Sequence, residues 1–341
     1  MTDVRKAVIP AAGRGTRFLP ASKAVPKELL PLVDRPALQY VVEEAAAAGL
    51  SQVCLITARG KEAMRAHFEP APQLEAMLAA KGDEQALAAV RDTTGGAQLT
   101  WVEQEEPRGL GHAIACAEEF AAGEPVAVLL GDDLIDAANP VLEAMVAVRE
   151  HLGGTVVLLL EVDERLASMY GIVESAVVES AALAADARLA GAEVRTITRL
   201  QEKPSREELF STLAVIGRYV LDPRAFAVLR DTPPGRNGEI QLTDALDTLA
   251  RMPAEQGGGV HGLVFRGLRY DTGDKLEYVA AVVQQAARSR TLGEDFMAWL
   301  RRFVADADAR GGVGGVGAAD AAAGPRPLGE PRPLGELGER E

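Results

Sequence analysis

Arg17, Lys23 and Lys27 stand at short intervals beside a turn of small residues, Ala11, Ala12, Gly13 and Gly15. Residues without bulky side chains let backbone N–H groups come close to a ligand, and successive amides make a concavity for anions. With the cations added, the guest that fits is a polyphosphate. Two common phosphate loops do not account for the stretch. The spacing G-x-x-x-x-G-K-[ST] does not occur here, and G-x-G-x-x-G starting at Gly13 would need glycine where Phe18 stands. The plain alternative is a strand-to-helix turn with solvated cations. Asp132 and Asp133 directly follow an apolar run at 126–130, at the carboxyl end where open α/β sheets hold their ligands. A hard cation such as Mg2+ takes carboxylate oxygens together with substrate phosphates, so one or two aspartates suffice; a turn or cap aspartate is the competing reading. Asp271, in RYDTGDK at 269–275, either shares that metal from a distant segment or caps the following helix. Glu202 and Lys203, in QEKP, suit a sugar phosphate, the carboxylate accepting from hydroxyls and the ammonium facing the phosphate; a surface ion pair is the competing reading. Gln104 offers an amide able to pair with a base edge, and GLGHA at 109–113 opens a helix with small residues.

The elements that must position these groups alternate along the first half of the chain. An apolar strand at 7–9 ends at Pro10, and a helix signalled by Asp34 and Pro36 runs to a stop at Gly49. A strand at 52–57, a helix at 61–68 and an Ala-rich helical segment at 73–91 follow, and strands at 99–102 and 126–130 flank a helix at 110–121. Continuous apolar strands between helices predict a mainly parallel central sheet flanked by helices. From Thr155 strands predominate, and such an insertion predicts a smaller β-rich lobe beside the sheet with a cleft between them. A strand at 260–265 and helices at 239–250, 274–290 and 293–307 complete one domain over 1–310, with the lobe inserted at about 155–235. Beyond it the composition turns to Gly, Ala and Pro, and PRPLGE at 325–330 repeats at 331–336, which predicts a disordered tail over 311–341.

The 341 residues carry 36 basic and 50 acidic side chains, a formal charge of −14. That balance argues against a nucleic-acid partner, and it means that an anionic substrate needs a local cationic pocket. Neither an 18-residue apolar run nor a signal-like start occurs, so no membrane partner is expected and the expected location is cytoplasmic. Cys54 and Cys116 form no C-x-x-C pair, and His67, His112, His151 and His261 show no metal-ligand spacing. All six read as structural.

Taken in order, the motifs resemble the bacterial UTP–glucose-1-phosphate uridylyltransferases among the sugar-phosphate nucleotidyltransferases. The residues that carry the resemblance are AAGRGTRFLPASKAVPKELLPLVDRPALQYVVEEA at 11–45, RGLGHAI at 108–114, YGIV at 170–173, EKP, GRYVL at 217–221, PPGRNGEIQLTDAL at 233–246 and RYDTGDK. The resemblance implies a Rossmann-like core with a sugar-binding lobe, a homo-oligomer, Mg2+ dependence, and the transfer of uridylyl from UTP to glucose 1-phosphate. It also implies that Ala11, Ala12, Gly13, Gly15, Gln104 and Gly109 hold the nucleotide, with Gln104 against uracil. Arg17 and Lys27 are then expected on the reacting phosphates, Lys203 with them, Asp132 and Asp271 on the metal, and Gly171, Glu202, Lys203 and Gly217 around the sugar phosphate. Lys23 drops to a supporting charge. The sequence departs from the family in LLGDDLID, where many members have proline before the aspartate, leaving open whether Asp133 shares the metal. Glu277, where glycine is commoner, and the PRPLGE tail are also outside the pattern. A sister enzyme using dTTP or another sugar 1-phosphate is the first alternative. A silent regulatory subunit is the second, although such a chain should have lost a cation or metal ligand, and Arg17, Lys27, Asp132, Lys203 and Asp271 all stand.

Overall fold

In the first strand, Val8 faces one side of a sheet while Ala7 and Ile9 face the other, and both sides are buried. This double burial is what an all-apolar strand demands, and it recurs along the sheet. The computed structural model describes residues 4–136 and 140–309, which fall into two compact units, 1–283 and 284–341. The first unit contains β1 (Lys6–Pro10), β2 (Pro31–Leu32), β3 (Arg35–Pro36), β4 (Gln52–Thr57), β5 (Gln98–Glu103), β6 (Val126–Leu129), β7 (Asp133–Ile135), β8 (Thr155–Glu161), β9 (Gly171–Val177), β10 (Glu193–Glu202), β11 (Leu213–Leu221), β12 (Val260–Val264) and β13 (Arg269–Asp271). Nine of these strands form one sheet in the order β5-β4-β1-β6-β11-β8-β12-β10-β9. On one face the helices Ala37–Ala47 and Leu142–Leu152 bury Leu38, Val41, Val42, Met145 and Val148; on the other, Arg224–Asp231 and Leu242–Arg251 bury Phe226, Leu229, Leu246 and Leu249.

The sheet is mixed rather than mainly parallel. β5, β4, β1 and β6 run parallel, as does β12 beside β8. β11 is antiparallel to both β6 and β8, and β10 is antiparallel to both β12 and β9. The apolar pattern does not distinguish the two directions once both faces are covered, which is why the sequence alone overstated the parallel share. The strands at 155–235, β8 to β11, hydrogen-bond into this same sheet instead of making one of their own, whereas β13 pairs with β7.

The segment at 73–91 is two helices, Pro72–Lys81 and Glu84–Arg91. Gly82 at φ 70° ends the first, and the Asp83 carboxylate accepts from Ala86 N at 3.0 Å to cap the second. In the second unit, helix Gly293–Ala309 stacks Phe296 on Trp299 and Trp299 on Phe303, with ring centroids 5.9 and 5.3 Å apart. The expected tail at 311–341 lies outside the described residues. Among the described residues, no helix is long and apolar enough to cross a membrane.

Candidate active site

Because β1, β4 and β5 run parallel, the loops after them emerge at one edge of the sheet. These loops line a cavity of about 300 Å³ with Ala12, Gly13, Arg14, Lys23, Lys27, Arg59, Lys61 and Gln104 on its wall. The concentration of cations in a chain with a charge of −14 gives this cavity a field suited to a polyanion. Ala11, Gly15 and Gly109 are not among the residues lining it. Ala11 O accepts from Lys61 Nζ at 2.6 Å. Gly15, at φ 63°, accepts from Ser22 Oγ at 2.6 Å, and a Cβ there would stand 3.2 Å from Lys27 Cβ. Gly109, at φ 105°, passes so close to Ile240 that a Cβ would meet its carbonyl oxygen at 2.7 Å. Lys61 also holds Glu28, at 2.9 and 3.1 Å. Burial pushes the Glu28 carboxyl up and the Lys61 ammonium down.

A second cavity, of about 670 Å³, opens beyond this wall and is lined by Arg17, Asp132, Tyr170, Gly171, Glu202, Lys203, Gly217, Thr243, Arg269 and Asp271. Lys27 lines the first cavity and is hydrogen-bonded to Asp132, which lines the second. Burial pushes the Asp132 carboxyl up, but the Lys27 ammonium outweighs it and holds the group below the ordinary carboxylate range. Burial likewise pulls Lys27 down, and Asp132 and Glu28 more than reverse that.

Asp132 and Asp271 meet through a ribbon that the sequence did not reveal. β7 pairs antiparallel with β13, setting Asp271 opposite Asp133, and Thr272 N donates to Asp132 O at 2.7 Å. A Cβ built on Gly273 would stand 2.7 Å from Asp132 Oδ2, 2.8 Å from Asp271 Oδ1 and 2.9 Å from Arg17 Nη2, so all three groups converge on one point. Arg17 pairs with Asp271 at 3.6 Å. Burial, and then the Asp132 charge, push the Asp271 carboxyl up.

Asp133 has other work. Its Oδ2 accepts from Gly217 N at 2.7 Å and its Oδ1 from Arg269 Nε at 2.6 Å, and only 2 % of the residue is exposed. Gly217 has no room for a side chain, since a Cβ would lie 2.2 Å from Asp133 Oδ2. It falls where the β11–β8 register shifts, between Ile216 and Tyr219, and such irregularities commonly re-aim a strand beside a site. The next residue, Arg218, is fully buried; it forks onto Glu44 at 2.8 and 2.5 Å and donates to Asp133 O at 2.7 Å. On the far wall, Glu202 Oε2 accepts from Thr243 Oγ1 at 2.6 Å, and both sit against Gly171. Lys203 carries φ 41° immediately before Pro204, an uncommon conformation for a side-chain-bearing residue and costing about 1–3 kcal/mol. Its N–H is held by Tyr170 O at 3.0 Å.

The structure thus gathers Arg17, Lys27, Asp132, Asp271, Glu202, Lys203, Gly171 and Gly217 around two adjoining cavities, with Ala12, Gly13 and Gln104 on the first. Sequence reasoning missed Arg14, Arg59, Lys61, Tyr170, Thr243 and Arg269. Arg59 and Lys61 had a readable signal, because they follow an apolar strand in the same way that Asp132 does.

A nucleotidyl transferase family model matches residues 6–286. UTP–glucose-1-phosphate uridylyltransferase 2 of Staphylococcus saprophyticus is 39% identical over 303 residues, covering 89% of this chain and 99% of the relative. The chain belongs to the nucleotidyl transferases, with the UTP–glucose-1-phosphate uridylyltransferases. Two solved structures share this nucleotidyl transferase fold. A UDP-glucose pyrophosphorylase complexed with UDP-glucose aligns with TM-score 0.72 and 36% identity over 84% of this chain and 100% of that one. The UTP-bound UGPase from Acinetobacter baumannii aligns with TM-score 0.76 and 34% identity over 87% and 98%. The α/β nucleotidyl transferase fold expected from the sequence is therefore borne out.

Proposed function

We propose that the chain transfers the uridylyl group of UTP to glucose 1-phosphate, giving UDP-glucose and pyrophosphate, with the nucleotide in the first cavity and the sugar phosphate in the second. The observation that carries this reading is the junction of the two cavities at Lys27 and Asp132. A phosphate oxygen of the sugar attacks the α-phosphorus, and the bond to the β-phosphate breaks. The nucleophile is already an anion and needs no general base, so the obstacle is repulsion between phosphates, which cations and positioning relieve. In this reading Lys27 faces the α-phosphate from the nucleotide side. Arg17 and Lys203 face it from the sugar side, and Arg14, Lys23 and Arg59 receive the departing pyrophosphate. Ala11, Ala12, Gly13, Gly15 and Gly109 shape the nucleotide wall, and Gln104 meets the base. Glu202, Gly171 and Gly217 surround the sugar, making 155–235 the sugar-binding lobe.

Asp132 and Asp271 would hold Mg2+, which when bound supplies positive charge to the nucleotide and sugar phosphates. The donor set fits: two carboxylates converge on one point, and the Asp271 carboxyl is raised by burial and its neighbour's charge, a crowding that a dication relieves. Among the described residues no cluster of three or more His, Cys, Asp or Glu side chains could hold a metal, so substrate phosphates would complete the shell. Homo-oligomeric assembly is part of the proposal and is read by light scattering. The deciding experiment is pyrophosphate release with UTP, dTTP, CTP or ATP against glucose 1-phosphate and other sugar 1-phosphates. UTP with glucose 1-phosphate should be the fastest pair. A faster reaction with dTTP would assign the chain to a sister enzyme, and no release from any pair would make it a silent subunit.

A further inference from the structure

We propose that His112 locks the orientation of the Gln104 side-chain amide and so sets which pyrimidine the nucleotide cavity accepts. This rests on the reading that Gln104 meets the base. Gln104 follows β5, is 5 % exposed and lines the first cavity, while His112 lies on the short helix Leu110–Ala115. Gln104 Nε2 is 3.2 Å from Gly109 O. A backbone carbonyl only accepts, so the amide atom facing it is the NH2 group. The same nitrogen is 2.9 Å from His112 Nδ1. With its NH2 committed to Gly109, Gln104 must be the donor here too, which requires a lone pair on Nδ1 and leaves the imidazole proton on Nε2.

Both amide protons are then taken, and the only group Gln104 can offer a ligand is its carbonyl oxygen. That oxygen complements the N3–H of a uracil-type imide. Against cytosine it would meet the N3 lone pair, and a buried acceptor facing an acceptor is strongly disfavoured. A methyl at C5 leaves this edge unchanged, so the device separates uracil from cytosine and not from its 5-methyl form. Rejection by a site built around a substrate N–H reaches roughly 10⁴-fold. Without His112 the amide is held by Gly109 O alone, at 3.2 Å, so His112 is the positioning residue that adds a second hydrogen bond, worth up to about tenfold, against turning.

The test compares kcat/KM for UTP, CTP and 5-methyl-UTP in the wild type, His112→Leu, His112→Asn and Gln104→Leu. In H112L the UTP-to-CTP ratio should fall several-fold, up to about tenfold. H112N, whose Oδ1 supplies an acceptor near the place of Nδ1, should retain the ratio, and 5-methyl-UTP should track UTP in every protein. A ratio unchanged in Q104L overturns the base reading itself. A ratio lowered in Q104L but not in H112L overturns the lock alone. Nitrogen chemical shifts of His112 in the free wild-type protein give a readout that no variant can spoil: the Nε2–H tautomer supports the lock and the Nδ1–H tautomer overturns it.

Discussion

Gly273→Ala adds a single methyl group at the point where the two metal-binding aspartates of the proposed mechanism converge. The added carbon would lie 2.7 Å from Asp132 Oδ2, 2.8 Å from Asp271 Oδ1 and 2.9 Å from Arg17 Nη2. Non-bonded heavy atoms settle at about 3.5 Å or more, so both carboxylates must retreat by roughly half an ångström or more. Gly273 does not have a positive φ, so alanine meets no backbone strain and the fold should survive. Misplacement on the order of 1 Å costs about 10²-fold in rate when catalysis depends on positioning. We therefore expect kcat to fall roughly 10- to 100-fold with the melting temperature nearly unchanged, and the Mg2+ concentration for half-maximal rate to rise. The assay is pyrophosphate release across a Mg2+ titration, paired with a thermal melt. Wild-type kcat at wild-type Mg2+ demand would refute the claim that Asp132 and Asp271 act on one ion.

Two further perturbations probe the supports of the site. Asp133→Asn removes the nearer of two carboxylates paired with the buried Arg269, leaving Glu277 at 3.7 Å, and should cost about 3 kcal/mol in urea unfolding; a change under about 1 kcal/mol would mean the pair is not a brace. Lys61→Met strands the buried Glu28, whose carboxyl burial already pushes up. A carboxyl raised in the folded state binds its proton more tightly there than in the unfolded chain, so its contribution to stability falls as pH rises through its ordinary value of 4.5 and upward. The stability deficit of K61M should accordingly be largest at neutral pH and shrink toward about pH 5. A deficit constant over that range would count against the buried pair.

What the sequence disclosed divides along physical lines. β1, β4 and β6 were legible because they are apolar on both faces, and Asp132 because it ends such a strand. The meeting of Asp132 with Asp271 was legible only as a condition, since β7 and β13 are three residues each and too short to show a period. Glu28 and Arg218 look like surface charges in a linear string; their burial follows from partners distant in sequence, Lys61 and Glu44. Asp133 could not be told from a metal ligand until Gly217 N–H and Arg269 were seen to occupy its oxygens.

The β7–β13 ribbon also bears on the order in which the molecule is made. Asp133 and its Arg269 partner are 136 positions apart in the chain, and contacts of such separation form late because a long loop must close first. During synthesis the nucleotide loop leaves the ribosome early, with β1 and β4 ready to enclose it. Asp271 arrives only after more than three quarters of the chain has been translated. The nucleotide wall is completed once Ile240 packs on Gly109, and the second aspartate comes later still, so the proposed metal site is the last part of the centre to be assembled.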